Sequence, residues 1–147
     1  MAKIIIDPGH GRYGNKSPNN AKYIEGTQMW HLGVYLEKAL IRKGHNVIMT
    51  RPNINDDPTL SQRGAMGKGA DILLSLHSNA PGANKDGTYS TTPTGTVTFY
   101  SLLHPETKTL ADELGMKVSE MMGHHFRGAQ TKESDTPGLD FYGVIRS

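Results

Sequence analysis

The chain has 147 residues, a length typical of one compact domain that can bury a core of its own. Its 16 basic and 14 acidic residues give a net charge of +2, and the sequence has no basic stripe with interleaved aromatic residues, which argues against a nucleic-acid partner. The chain has no cysteine, so disulfides and thiolate metal sites are excluded and a metal ion would need histidine and carboxylate ligands. It also lacks a transmembrane run and a signal peptide, which predicts a soluble chain that no N-terminal signal exports.

The first half of the chain predicts two strands separated by a loop and a helix. The apolar run KIIID (3–7) predicts a buried strand, and the Gly- and Asn-rich residues after it predict a loop. A helix is expected over residues 27–43, with Thr27 as its N-cap and Gly44 at its C-terminal end. Its expected apolar face comprises Met29, Leu32, Gly33, Leu36 and Leu40. The run NVIMT (46–50) predicts the second strand.

The second half continues this alternation. A short helix is expected around TLSQRGAM, where Thr59 and Gln62 have capping-box spacing. The nearly continuous apolar run ADILLSL (70–76) predicts a strand that is covered on both faces. A loop over residues 80–94 and a strand TVTFY (96–100) follow.

The last part of the chain predicts a helix, a loop and a strand. The helix is expected over residues 105–122, and its predicted apolar face comprises Leu110, Leu114, Val118 and Met121. Residues 127–140 are polar and predict a loop, and YGVIR (142–146) predicts the beginning of another strand. Strands that alternate with helices predict an α/β fold, a single domain with a twisted, largely parallel sheet flanked by helices.

Two histidines directly follow predicted strands. His10 ends the stretch IIIDPGH between Gly9 and Gly11, and His77 follows ILLSL. Ligands of open α/β sheets bind beyond the carboxyl ends of the strands, so the two imidazoles converge if their strands are neighbours. Together with one carboxylate they would form a His₂Glu site with an open position for water, the pattern of hydrolytic zinc enzymes. Glu25, at the end of the loop that begins at His10, is the best candidate for the carboxylate.

Other groups are weaker candidates for this site. Asp7 is a rival carboxylate, although its place at the strand end suits a hydrogen bond to a ligand better than coordination. The side chains of His124 and His125 are adjacent in sequence and diverge, which disfavours a shared metal ion. Packing, turns or helix capping account for the remaining histidines, which are His31, His45 and His104. Glu25 also has an ordinary interpretation, as a carboxylate favoured at a helix start.

Seven segments run through the chain in a fixed order from residue 3 to residue 146. They are IIIDPGHG, IEGTQ, GHNVIMTR, LSQRG, ADILLSLHSNA, GTVTFY and GVIR. Together they resemble the zinc-dependent N-acetylmuramoyl-L-alanine amidases of the amidase 3 type, which include bacterial cell-wall hydrolases and phage endolysins. The resemblance implies an α/β sheet flanked by helices, with His10, Glu25 and His77 as the ligands of a zinc ion. It implies peptidoglycan as the substrate, cut at the amide between N-acetylmuramic acid and L-alanine.

The implied ligand set leads to an expected chemistry. Zinc held by three protein groups keeps a position for water, lowers the pKa of that water to about 7 and polarises the scissile carbonyl. A general base should take the proton of the water and pass it to the leaving amine. Asn79 and Arg63 are candidates for holding the substrate.

The family's general base has no counterpart in the sequence. In the family, a glutamate in a segment resembling PAVLVE follows the VIR strand, whereas this sequence stops at Arg146 and Ser147. Residues 1–147 are therefore expected to be an amidase-like catalytic domain without its C-terminal strand and helix, and the base is expected beyond Ser147. Glu133, in the polar stretch TKESD, is a weaker alternative.

Two other functions stay open at this point. One is a metal-bearing peptidoglycan-binding protein without catalysis, and the other is a zinc peptidase that cuts elsewhere in the stem peptide. The expected place of action is the cell wall in every case. A chain without a signal peptide is expected either to accumulate in the cytoplasm until release, as an endolysin does, or to be an autolysin without its leader.

Overall fold

The computed structural model describes residues 1–18, 20, 22–79, 86–89 and 95–146. They divide into two compact units, one within residues 1–82 and the other within residues 83–146. Every strand pair in the two sheets is parallel, which confirms the predicted α/β class with a largely parallel sheet. None of the helices in the described part of the chain combines the length and apolar character needed to cross a bilayer.

The first unit is built on a three-stranded sheet. Its strands are β1 (Lys3–Pro8), β2 (Asn46–Met49) and β3 (Ile72–Leu76), in the order β2-β1-β3. The buried core contains Ile4, Ile6 and Met49. Side chains packed against this core include Trp30, Val34, Leu36, Leu40, Val47, Ile72 and Leu76. The three strands lie close to their predicted positions because short runs of β-branched and aliphatic residues suit a sheet interior.

The pairing of β1 with β3 brings their carboxyl ends together. Pro8 is the register partner of Leu76, and the amide of Gly9 continues the ladder with a hydrogen bond to the Leu76 carbonyl at 2.9 Å. The next residues along the two strands are His10 and His77. The strand order therefore places both histidines at one edge of the sheet, as expected of parallel neighbours.

Helix α1 (Glu25–Arg42) packs against β1 and β2 and begins two residues earlier than predicted. Thr27 is not its N-cap. Its hydroxyl donates instead to the carbonyl of Arg12, and Ile24 occupies the cap position without a side-chain hydrogen bond. The predicted end is confirmed, because Gly44 has a φ of 86° and its amide donates to the carbonyl of Ile41. The early start places Glu25 in the first helical turn.

Helix α2 (Leu60–Met66) begins at the predicted capping box. The hydroxyl of Thr59 accepts from the amide of Gln62 at 3.3 Å, and the Gln62 side chain accepts from the amide of Thr59 at 2.8 Å. This reciprocal pair satisfies two amides that would otherwise lack partners at the helix start. It fixes the helix that carries Arg63.

The second unit contains one strand that the sequence did not predict. Strand β4 (Thr96–Phe99) pairs in parallel with β5 (Phe126–Gln130), and helix α3 (Lys108–Met122) packs against both after a 3₁₀ turn at Pro105–Thr107. The prediction of a loop from residue 127 was therefore wrong over the length of β5. The segment FRGAQ has a glycine, two polar residues and no β-branched residue, so it carries little strand signal of its own.

The buried face of α3 also differs from the predicted one. Gly115 and Ser119 are its buried residues, whereas the four predicted core residues are exposed by 37–88%. The small residues allow close packing, since a Cβ at Gly115 would lie 2.1 Å from the Phe126 ring. The buried face of α3 is thus set by its close approach to β5 and not by the pattern of apolar residues.

The end of the described chain is turned and not extended. Residues 142–146 form no strand, because the amide of Ile145 donates to the carbonyl of Tyr142 at 3.1 Å. Arg146 closes the segment, because its Nε donates to the carbonyl of Asp140 at 2.7 Å and its NH2 donates to that of Phe141 at 3.1 Å. The predicted loop over residues 80–94 lies mostly outside the described residues, of which 86–89 are exposed.

Candidate metal centre

Three side chains from separate segments converge at the carboxyl edge of the first sheet. His10 follows β1, His77 follows β3 and Glu25 is the first residue of α1. Glu25 Oε2 lies 3.5 Å from His10 Nε2, and Glu25 Oε1 lies 3.0 Å from His77 Nδ1. One ligand atom from each residue falls within 4.8 Å of the other two. The structure therefore brings together the three residues that the sequence singled out.

The spacing of these atoms suits a small divalent cation. Zinc binds imidazole nitrogen and carboxylate oxygen at about 2.0–2.2 Å, which places tetrahedral ligands about 3.3–3.6 Å apart. The observed separations to Glu25 are close to that range without rearrangement of the backbone. Two imidazoles and one carboxylate leave one tetrahedral position open, and the side chains of His10 and His77 are 37% and 41% exposed. The open side is therefore accessible to water.

The conformation of His10 and two nearby glycines, Gly9 and Gly14, make room for the two imidazoles. His10 has a φ of 58°, a left-handed conformation that destabilises a non-glycine residue by about 1–2 kcal/mol. A Cβ at Gly9 would lie 2.4 Å from Cε1 of His77, and one at Gly14 would lie 2.9 Å from Cβ of His10. The absence of side chains at these glycines is what allows the two imidazoles to stand 5.1 Å apart.

The carboxylate of Glu25 is buried and held at both oxygens. Asn15 donates its side-chain amide to Oε2, and the backbone amide of Ser78 donates to Oε1 at 2.7 Å. The hydroxyl of Tyr23 then donates to Oγ of Ser78 at 2.7 Å. Burial alone would raise the pKa of Glu25, but hydrogen bonds from His77, Ser78 and Asn15 outweigh it and lower the pKa. Glu25 is therefore an anion and can act as a ligand.

His10 is tuned towards its neutral form. Burial lowers its pKa, the Glu25 carboxylate opposes this shift, and the charges of His77, Arg63 and Arg51 add to the lowering. A metal ion requires the unprotonated imidazole. The surroundings of His10 therefore keep it available as a ligand at neutral pH.

A polar cleft of about 290 Å³ opens beside Glu25. Its lining consists of amides, hydroxyls, one lysine and the Glu25 carboxylate: Asn15, Lys16, Ser17, Asn20, Tyr23, Glu25, Ser78 and Asn79. Asn79, a predicted substrate-binding residue, is exposed in this cleft. A polar ligand placed there would lie against Glu25, one of the three converging side chains.

Arg63, the other predicted substrate-binding residue, lies below the site and is only 3% exposed. Its NH1 donates to the carbonyl of Pro8 at 2.8 Å and to Asp7 Oδ1 at 3.1 Å, and its NH2 donates to the carbonyl of His10 at 3.2 Å. The carboxylate of Asp7 also accepts from Thr50 at 2.6 Å and from Ser75 at 2.7 Å. Asp7, the rival ligand, is thus occupied with these donors and stands outside the converging group.

Arg51 is a second buried arginine, and it was not among the residues predicted from the sequence. It is fully buried, and its NH1 donates to the carbonyls of Gly26 at 3.0 Å and Gly9 at 3.4 Å. Burial is the main cause that lowers the pKa of Arg51 from its usual value, and the charge of Arg63 adds to it. Arginine nevertheless stays charged at any accessible pH. The available signal in the sequence was a basic residue directly after the predicted strand NVIMT.

The weaker candidates of the sequence have other partners and are not members of this group. His45 Nδ1 accepts from the amide of Ala2 at 3.3 Å, and His104 Nδ1 lies 3.0 Å from Glu106 Oε1. Glu133 belongs to the second unit, where its Oε1 accepts from the amide of Gly138 at 2.6 Å. The role of Glu133 as a general base stays a prediction. Among the described residues, one set of three metal-ligating side chains converges, and it is His10, Glu25 and His77.

Removal of the Asn15 amide should weaken metal binding. Asn15 has a φ of 56°, so Asn15→Gly deletes the donor to Glu25 without backbone strain. Loss of a group that orients a ligand typically lowers metal affinity by about 10- to 100-fold. Competition with a chromophoric chelator would measure the Kd for Zn²⁺, and exposed Asn46→Ala is the matched control. Equal affinities of the Asn15→Gly variant and the wild type would contradict this role.

A His–Glu–His group at the carboxyl edge of a parallel sheet is typical of metal-dependent hydrolases, in which the bound metal would keep one position open for water. The comparison with known families assigns the chain within this class. The sequence profile of the N-acetylmuramoyl-L-alanine amidases of the amidase 3 type matches residues 4–147. The chain belongs to this family.

Individual relatives agree with the assignment. The chain is 31% identical over 118 residues to the N-acetylmuramoyl-L-alanine amidase CwlM of Bacillus licheniformis, across 76% of this chain and 46% of that protein. The chain thus spans less than half the length of this curated relative.

Solved structures share the fold. The catalytic domain of CwlV, an N-acetylmuramoyl-L-alanine amidase from Bacillus (Paenibacillus) polymyxa, is 24% identical with a TM-score of 0.78, over 99% of this chain and 74% of that one. The N-acetylmuramoyl-L-alanine amidase of Clostridium difficile 630 is 23% identical with a TM-score of 0.76, over 99% and 73% of the two chains. At these identities the likeness supports the fold.

Proposed function

We propose that the chain is the catalytic part of a zinc-dependent N-acetylmuramoyl-L-alanine amidase. It would hydrolyse the amide between N-acetylmuramic acid and the L-alanine of the stem peptide, and its place of action would be the cell wall. The observation that carries the proposal is the convergence of His10, Glu25 and His77 within 4.8 Å in a chain that belongs to the amidase family. Zinc as the metal follows from the ligand types, since imidazole and carboxylate with an open position are typical of catalytic zinc.

The chain's own residues supply the binding and positioning steps. Asn15 and the amide of Ser78 hold the Glu25 carboxylate at fixed places, while His10 and His77 complete the ligand set. A zinc ion at this position would polarise the amide carbonyl and acidify water. The amide and hydroxyl groups of the adjacent cleft would hold the polar substrate, and Asn79 is the exposed group proposed for this contact.

The overall reaction needs one proton relay. Water oxygen adds to the carbonyl carbon, the carbon–nitrogen bond breaks, and the leaving amine of L-alanine takes a proton. The family resemblance assigns the relay to a glutamate after GVIR, and Glu133 is the alternative within the sequence. The identity of this base stays a prediction.

Digestion of purified peptidoglycan tests the proposed reaction. The chain, loaded with Zn²⁺, should release new amino termini that are identified as L-alanine. Removal of zinc with a chelator should abolish the release, and restored zinc should recover it. New termini of other amino acids would indicate a peptidase instead. Metal binding and cosedimentation with peptidoglycan without any new termini would contradict hydrolysis by this chain.

A further inference from the structure

Two buried arginines lie directly beneath the converging ligands. Arg51 is fully buried and Arg63 is 3% exposed, and neither side chain is part of the ligand group. Each comes from outside the segments that carry the ligands: Arg51 follows β2, and Arg63 lies on α2. Buried charged side chains are unusual unless their hydrogen bonds are satisfied, so the partners of these guanidinium groups decide what they do.

The partners are mostly backbone carbonyls next to the ligands. Arg63 donates to the carbonyls of Pro8 and His10, and Arg51 donates to that of Gly9, so three consecutive carbonyls face the two guanidinium groups. Arg51 also donates to the carbonyl of Gly26 at 3.0 Å, directly after the ligand Glu25. The NH1 group of Arg51 therefore connects the backbone next to His10 with the first turn of α1.

The Nε atoms of both arginines are hydrogen-bonded as well. Nε of Arg63 donates to the carbonyl of Pro58 at 2.8 Å, and Nε of Arg51 donates to that of Asp56 at 2.9 Å. The carboxylate of Asp7, also buried, accepts from Arg63 at 3.1 Å and balances part of the charge. The groups that hold the ligand segments are thus anchored to a separate loop.

We propose that Arg51 and Arg63 are positioning residues, which fix the backbone of His10 and Glu25 in a metal-ready geometry before any metal binds. The reason lies in the left-handed φ of His10, which relaxes to a more favourable region unless its neighbours restrain it. The bond from Arg63 to the His10 carbonyl restrains that residue on its C-terminal side. Neither arginine touches the substrate in this assignment, which deepens the proposed function and rests on its metal site.

Substitution of the arginines should change metal affinity and ligand geometry together. Arg63→Gln and Arg51→Gln are each expected to lower the affinity for Zn²⁺ and Co²⁺ by about 10- to 100-fold. The visible absorption of bound Co²⁺ should shift or weaken, because it reports the arrangement of the ligands. Arg63→Lys keeps the charge but loses the fork and should not restore the wild-type spectrum. Exposed Arg42→Gln at the end of α1 is the matched control and should bind as the wild type does.

The outcomes separate this inference from the proposed function. A wild-type chain that binds no zinc contradicts the metal site itself. A folded glutamine variant with wild-type affinity and Co²⁺ spectrum, or full recovery by Arg63→Lys, contradicts the positioning role alone.

A measurement on the metal-free wild type decides the matter if the variants do not fold. The side-chain Nε protons of Arg51 and Arg63 should exchange with solvent far more slowly in NMR spectra than that of Arg42. Exchange as fast as that of Arg42 would show that the restraint is not formed before metal binding, and would overturn the inference.

Discussion

Substitution of His77 by alanine is expected to remove metal binding at micromolar zinc and, with it, any release of L-alanine termini. Structural zinc sites with four protein ligands contribute about 10–16 kcal/mol, so one ligand accounts for roughly 3 kcal/mol, or about 100-fold in affinity. The effect at a site with three protein ligands should be at least this large. His77 also lies 3.0 Å from Glu25, so its loss removes one restraint on the second ligand.

The experiment compares zinc content and Kd for His10→Ala, Glu25→Gln and His77→Ala with those of a control. Exposed His31→Ala on α1 removes an imidazole outside the group and should keep full zinc content. Folding is checked by circular dichroism: loss of the partly exposed His10 or His77 should leave the sheet and helices in place, and the measurement shows whether substitution of the buried Glu25 does so too. Near-stoichiometric zinc in the His77→Ala variant would contradict the assignment of this site.

The convergence of the ligands could be predicted because it follows from strand topology. Parallel neighbours expose their carboxyl ends at one edge, so a histidine directly after each of two strands is placed by the sheet itself. Glu25 was harder to place, since its position depends on the early start of α1. The structure puts it in the first helical turn, where its amide donates to the carbonyl of Asn15 at 3.1 Å.

The arginine contacts could not be predicted in the same way. The sequence suggested Arg63 as a substrate-binding residue, and Arg51 was not singled out. Their partners are mostly backbone carbonyls, which every residue carries, so the sequence contains no pattern that marks such a contact. The three-dimensional path of the chain alone decides which carbonyls a buried guanidinium meets.

The second unit shows where hydrophobic patterns mislead. The pattern of leucines on α3 predicted a buried face, whereas the helix packs through Gly115 and Ser119. Small residues give weak signals on a hydrophobicity scale and yet allow the closest packing. Strand β5 was not predicted for a similar reason, because its residues FRGAQ give a weak strand signal. Its pairing with β4 supplies the hydrogen bonds that stabilise it.

The glycine at the start of α1 should tolerate no side chain. A Cβ at Gly26 would lie 1.8 Å from the carbonyl oxygen of Gly11, which is a backbone atom that cannot rotate away. Alanine is preferred over glycine within helices by at most about 1 kcal/mol, and less in a first turn. Overpacking of a tight site costs about 1–3 kcal/mol, and a backbone overlap of this depth belongs at the upper end. The clash therefore outweighs the gain in helix propensity.

We expect Gly26→Ala to lower the free energy of unfolding by about 2 kcal/mol and to weaken zinc binding by at least 10-fold. The metal effect arises because relief of the clash must separate the His10 loop from α1, and these two segments carry His10 and Glu25. Gly33→Ala in the same helix is the control, since its Cβ would meet Cγ of Pro8 at 3.0 Å and the flexible end of Met49 at 3.1 Å. Urea unfolding and zinc competition on both variants measure the two effects separately. A Gly26→Ala chain as stable as the wild type, with unchanged zinc affinity, would show that the loop and the helix are not locked against each other at this contact.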